Sequence, residues 1–60
     1  MSENRKYNQI LDALEVLLEN KSIRTISVRE IAETAGIGKG SIYYYFSSKD
    51  KILEALVERS

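Results

Sequence analysis

AGIGKGSIYYYF, residues 35–46, is the stretch from which the rest of the chain can be read. Gly36 follows an apolar-periodic segment and can take the positive φ that ends a helix. Ile37 offers an anchor just past the turn, and Gly38 is an acceptable N-cap for a helix over 38–46. Ile42 and Phe46, four apart, then share an inward face. At about 100° per residue, Gly40 and Tyr44 point directly away from it, flanked by Lys39 and Tyr43 on one side and by Ser41 and Tyr45 on the other. Tyr44 is expected to be exposed, Tyr43 mostly exposed and Tyr45 partly packed. A solvated helix face usually carries Glu, Lys, Gln and Ala. Here a helix-weakening Gly sits beside three consecutive tyrosines, a composition that suits something approaching from outside.

Upstream, Ser27 and Glu30 have capping-box spacing, and Ile26 and Ile31 have the N′ and N4 spacing of a hydrophobic staple. They predict a helix over about 28–35 with Val28, Ile31, Ala32 and Ala35 inward and Arg29 outward. For Arg29, a surface pair with Glu33 at i+4 and a contact to a partner are both open readings. Before it, Tyr7, Ile10, Leu11, Leu14, Leu17 and Leu18 have the i, i+3, i+4, i+7 spacing of an amphipathic helix over about 5–20. Asp12, Glu15 and Glu19 fall on its other face and read as a solvated acidic surface. No Gly or Pro marks its end at Asn20 to Ser22, and Ile23 is expected to tuck back onto the core. Downstream, Ser47 and Ser48 are N-cap candidates for a fourth amphipathic segment carrying Ile52, Leu53, Leu56 and Val57. The fold class is therefore all-α: a small four-helix domain in which helices two and three form a helix-turn-helix, with helix four truncated.

With 60 residues, the chain is one small domain that buries only about 60% of the surface its unfolded form exposes. It contains no Cys and no His, so disulfides, thiolate chemistry, His-based metal sites and imidazole catalysis are excluded together. The carboxylates lie on exposed helix faces and no nucleophile–base pair can be named. No enzyme activity, cofactor or metal site is expected. No apolar run reaches the roughly 18 residues a membrane helix needs, and the N-terminus lacks the apolar core of a signal peptide. A cytoplasmic protein without a membrane partner is expected. Formal net charge is zero, but residues 21–51 carry a net +3 and the remainder a net −3.

An α-helix fits the major groove of B-DNA, and in a helix-turn-helix the N-terminal residues of the second helix meet base edges. Gly38, Gly40 and Ser41 leave that end slim, and free N–H groups with Lys39 beside them favour a phosphate oxygen. Tyr hydroxyls can bond phosphates, and a Tyr ring can pack on a thymine methyl. Lys49 stands in the first turn of helix four, where a cation opposes the helix dipole, which makes a phosphate role attractive. Tyr is also common at protein interfaces. The alternative is a helical protein–protein interaction module that uses Tyr43, Tyr44 and Tyr45.

Ile31-Ala32, Ala35-Gly36-Ile37, Lys39-Gly40-Ser41-Ile42-Tyr43, Tyr45-Phe46 and Ser48-Lys49-Asp50, with Leu53 following, resemble the N-terminal DNA-binding domain of the TetR family of bacterial transcriptional regulators. The similarity extends back through Ser27-Val28-Arg29-Glu30 and Ile10-Leu11-Asp12-Ala13. The resemblance implies that the third helix enters the major groove of double-stranded DNA. Gly40, Ser41 and Tyr43 would lie against bases, Lys39, Tyr44 and Tyr45 against phosphate or groove wall, and Lys49 against phosphate at the start of helix four. Ser27, Val28 and Arg29 match the start of helix two, which in some members also touches DNA, with Arg29 in reach of a guanine edge.

Three positions depart from the family pattern. Gly38 stands where Ser or Thr is usual, Ile26 where Thr is usual and Ser22 where Gly is usual, so any contact at Gly38 runs through its backbone N–H. Family members continue into a helical domain that binds a small effector and forms a homodimer. The resemblance therefore implies that residues 1–60 are a reading head without that domain, monomeric or weakly associating by itself. The intact protein would be a homodimer on a palindromic operator with half-sites about 34–36 Å apart. Repression is the commoner outcome in the family, and any effector would act through the domain outside these residues.

Overall fold

The computed structural model describes residues 2–60, with side chains from Arg5 onward. Four helices follow one another: α1 (Ser2–Leu18), α2 (Val28–Ala35), α3 (Lys39–Tyr45) and α4 (Lys49–Arg59), with a single 3₁₀ turn, Ile23–Thr25, between α1 and α2. The all-α class with a helix-turn-helix at helices two and three is as expected.

α1 is the spine, packing against both α2 and α4, while α3 packs on α2. Ile10, Leu11 and Leu14 of α1 meet Ile26, Ile31, Ile42, Phe46, Ile52 and Leu56 in one buried cluster. Ala13 and Ala32 are also buried, and small side chains at such positions let helix axes come close. Val57, in contrast, is 65% exposed on the outer side of α4.

The helix ends differ from the sequence reading only where no strong local signal exists. α1 ends at Leu18 rather than near residue 20, because Asn20 and Lys21 N–H both turn back to the Leu17 carbonyl, at 3.2 and 2.9 Å. The 3₁₀ turn after it had no counterpart in the sequence reading. It is closed by the Ser22 carbonyl, which accepts from both the Thr25 N–H and the Thr25 hydroxyl at 3.0 Å.

α2 follows its signals closely. Ser27 Oγ accepts from the Glu30 N–H at 3.1 Å. At the other end Gly36 sits at φ 75°, its N–H donating to the Glu33 carbonyl and that of Ile37 to the Ala32 carbonyl, at 3.3 and 3.1 Å. This is a Schellman closure, and it turns the chain straight into α3. Of the two serines before α4, Ser48 is the cap, accepting from the Lys51 N–H at 3.4 Å.

The acidic face of α1 is less free than expected. Arg59, in the last turn of α4, lies 3.0 Å from Asp12 and 3.6 Å from Glu15, and it donates to Asn8 Oδ1 at 3.2 Å. A cation is well placed at a helix C-terminus, and here it also ties the end of α4 to α1. Among the described residues no helix is long and apolar enough to cross a membrane.

Candidate nucleic-acid interface

The phase of α3 decides what it can offer to a partner. Ile42 is fully buried and Phe46 nearly so, while Tyr44 is 75% and Tyr43 48% exposed. Tyr45 is half-buried and packs partly against the core. The aromatic side chains support one another: Tyr44 meets Tyr45 edge-on at 5.1 Å, Tyr45 meets Tyr7 of α1 edge-on at 6.5 Å, and Tyr7 tilts over Phe46 at 5.2 Å. Edge-to-face pairs of this kind each add about 0.5–1.5 kcal/mol beyond burial. The exposed ring of Tyr44 is thus held by a chain of rings that reaches the core. Tyr7, Tyr43, Tyr44 and Tyr45 border an open cleft of about 510 Å³.

Gly40 lies on the same outward face as Tyr44. A Cβ placed on Gly40 or Gly38 would meet nothing within 4 Å. Nothing inside the fold requires a glycine at position 40, although Gly weakens a helix by about 1 kcal/mol relative to Ala. Lys39 beside it is exposed and Ser41 half-buried. A second hollow, of about 340 Å³, is bordered by Lys6, Gly40, Ser41 and Tyr44. It brings an α1 cation beside the slim half of α3. Sequence reasoning missed Lys6, and the one signal for it was its place next to Tyr7, on the edge of the inward face of α1.

At the start of α2, Arg29 makes the i+4 pair with Glu33 at 3.4 Å, with the two side chains 79% and 67% exposed. Exposed pairs of this kind contribute about 0.3–0.5 kcal/mol, so the guanidinium is readily exchanged to another acceptor. Ser27 uses its oxygen lone pair in the cap and keeps its hydroxyl proton for an outside partner. Its box partner Glu30 is ion-paired with Lys21. The hydrogen bond from Lys21 chiefly holds the Glu30 carboxyl below the usual glutamate range, helped by the charge of Lys21 and the Ser27 backbone N–H and opposed by partial desolvation.

Lys49 has an internal role that the sequence did not show. Its ammonium donates to the Ile23 carbonyl at 2.8 Å and the Ile26 carbonyl at 3.0 Å. The two carbonyl oxygens offset the unfavourable position of a cation in the first turn of α4.

The fold thus presents a short third helix with a slim, aromatic outer face, preceded by a well-capped helix across a Gly turn. The sequence profile described as "Bacterial regulatory proteins, tetR family" matches residues 10–56, which contain all of α2 and α3. The chain belongs to the TetR family. The TetR-family relatives it resembles include an uncharacterized HTH-type transcriptional regulator, YxbF, of Bacillus subtilis, 40% identical over 83% of this chain and 13% of that protein. The HTH-type transcriptional regulator EthR of Mycobacterium tuberculosis is 42% identical over 83% of this chain and 23% of that protein. The nucleoid occlusion factor SlmA of Haemophilus ducreyi is 34% identical over 97% of this chain and 29% of that protein. The TetR-family chain therefore spans less than a third of the length of each of these relatives.

Proposed function

We propose that this TetR-family chain is the reading head of a transcriptional regulator and binds double-stranded DNA in a sequence-specific way, with α3 in the major groove. The observation that carries the reading is Gly40: a glycine that the fold does not need, with open space where a side chain would go, between an exposed Lys39 and an exposed Tyr44. Close approach of a nucleic-acid surface accounts for the missing side chain. Gly40, Ser41 and Tyr43 face base edges. Lys39, Tyr44 and Tyr45 meet phosphate or groove wall, and Gly38 offers its backbone N–H. Ser27 and Arg29 add contacts from the start of α2. The net +3 of residues 21–51 supplies the electrostatic component common to DNA binding. The names of the relatives YxbF and EthR, both HTH-type transcriptional regulators, support the same function. In the full-length protein, two such heads act together as a homodimer on a palindromic operator, in most members as a repressor.

The test is an NMR chemical-shift titration of the chain with a DNA duplex at low and at raised salt. Shifts concentrated at Arg29, at Lys39 to Tyr45 and near Ser27, fading with salt, are expected. Tyr44→Ala lowers affinity several-fold and costs at most about 0.5–1.5 kcal/mol of stability, the worth of its edge-on pair with Tyr45. Binding that depends on the tyrosines but survives loss of Lys39 and added salt would instead assign the aromatic face to a protein partner.

A further inference from the structure

We propose that Lys49 is a positioning residue of the reading head: it clasps the segment leading into α2 to the first turn of α4, and its effect on DNA binding runs through Ser27 and Arg29 rather than through a phosphate held by its own ammonium. The clasp is a property of the free protein. Only its link to DNA affinity rests on the function proposed above.

Three observations carry it. The first is geometry. Nζ of Lys49 lies within hydrogen-bond distance of two backbone carbonyls, those of Ile23 and Ile26, in a part-buried setting. An ammonium has three donors, so one at most remains for an outside ligand.

The second is what those carbonyls need. The helical ladder of α2 opens with the Ser27 carbonyl, which accepts from the Ile31 N–H at 3.1 Å, so the Ile26 carbonyl stands outside it. The Ile26 side chain is buried, and backbone polar groups next to a core require partners. The Ile23 carbonyl accepts one long bond, 3.3 Å, from the Ile26 N–H. Lys49 completes both.

The third is topology. Ile26 and Lys49 are 23 positions apart, and the chain between them is α2, the Gly turn, α3 and the short connection to α4. The clasp therefore closes the base of the whole helix-turn-helix. The residue after Ile26 is the N-cap Ser27, and Arg29 follows within the first turn. Fixing the Ile26 carbonyl fixes the point from which both side chains project.

The experiment combines hydrogen exchange on the free chain with the salt dependence of its DNA binding. In Lys49→Gln, the amides of Ile26, Glu30 and Ile31, which close the 3₁₀ turn and open α2, are expected to exchange several-fold faster, while that of Phe46 at the end of α3 is unchanged. Lys49→Arg, which keeps the charge and a fork of donors, is expected to restore protection. On DNA, Lys49→Gln is expected to lose affinity with the salt slope intact, whereas Lys39→Gln loses about one unit of slope, as removal of a phosphate contact does. Unchanged exchange together with a loss of about one unit of slope in Lys49→Gln would overturn the proposal and make Lys49 a phosphate ligand. If Lys49→Gln does not fold, the ζ-ammonium of Lys49 in the unsubstituted chain decides: a slowly exchanging, hydrogen-bonded ¹⁵Nζ signal supports the clasp, and a freely exchanging one overturns it. An unsubstituted chain that binds no DNA at low salt even when two copies are joined as an enforced dimer would overturn the proposed function, and the exchange measurement would still judge the clasp.

Discussion

α2 and α3 are neighbours of eight and seven residues. The first is closed at both ends, by the Ser27 hydroxyl and by the Gly36 turn, with Ile26 and Ile31 buried on either side of its start. The second starts at Gly38 with no side-chain cap, carries Gly40 in its first turn, and ends at Phe46. Nearly every local device that stabilises a short helix is present in α2 and missing from α3. A helix as short as either is marginal in isolation, so α3 depends on the two side chains it sends inward, Ile42 and Phe46. Local stability is concentrated in the helix that supports and relinquished in the helix whose outer face is to be used.

The strongest way to break this contrast is Ile42→Ala. A fully buried isoleucine cut to Ala costs about 2–5 kcal/mol, a large part of what a domain of this size has. A urea denaturation curve should show a folded baseline that is shortened or lost. A midpoint close to that of the unsubstituted chain would mean that α3 forms without its anchor.

Gly40→Ala sharpens the comparison with a smaller effect of opposite sign. With open space for the methyl group, it should stabilise the chain by up to about 1 kcal/mol through helix propensity, while DNA affinity falls. A variant that gains stability and binds DNA equally well would show that the slim face is not the one that reads.

The smallest effect concerns the start of α2. The Glu30 carboxyl is held below its usual range chiefly by Lys21, so its ionised form favours the folded state. That contribution is fully present above the ordinary glutamate value of about 4.3 and is lost as pH falls through the lowered folded value. Stability measured against pH should decline across this window, and Glu30→Gln should flatten the decline. An equal acid slope in both proteins would mean that Lys21 does not act on this carboxyl in solution.

The same contrast explains which parts of the fold are legible in the sequence. The bounds of α2 can be read from Ser27, Glu30 and Gly36 because the signals that set them lie within or next to the helix. The phase of α3 follows from Ile42 and Phe46, and it correctly exposes Tyr44. The 3₁₀ turn at Ile23–Thr25 is not legible, because part of what holds it is an ammonium far along the chain. Lys49 reads as a phosphate contact and Arg59 carries no reading of its own until the fold brings α4 against the first half of the molecule. Lys6 becomes a neighbour of Gly40 only where the fold brings the two to the border of one hollow. Local signals specify elements, and contacts between distant segments assign the charged side chains their partners.

Gly36 is the one described residue with a positive φ, and a Cβ there would touch nothing within 4 Å. What reserves the position for glycine is thus handedness alone. The passage from the supporting helix to the reading helix runs through a single peptide unit for which the mirror-image amino acid would be the natural occupant. An alanine methyl would have room at Gly36 but the wrong chirality for a left-handed backbone, so the angle between the two helices is guarded there by stereochemistry and not by packing.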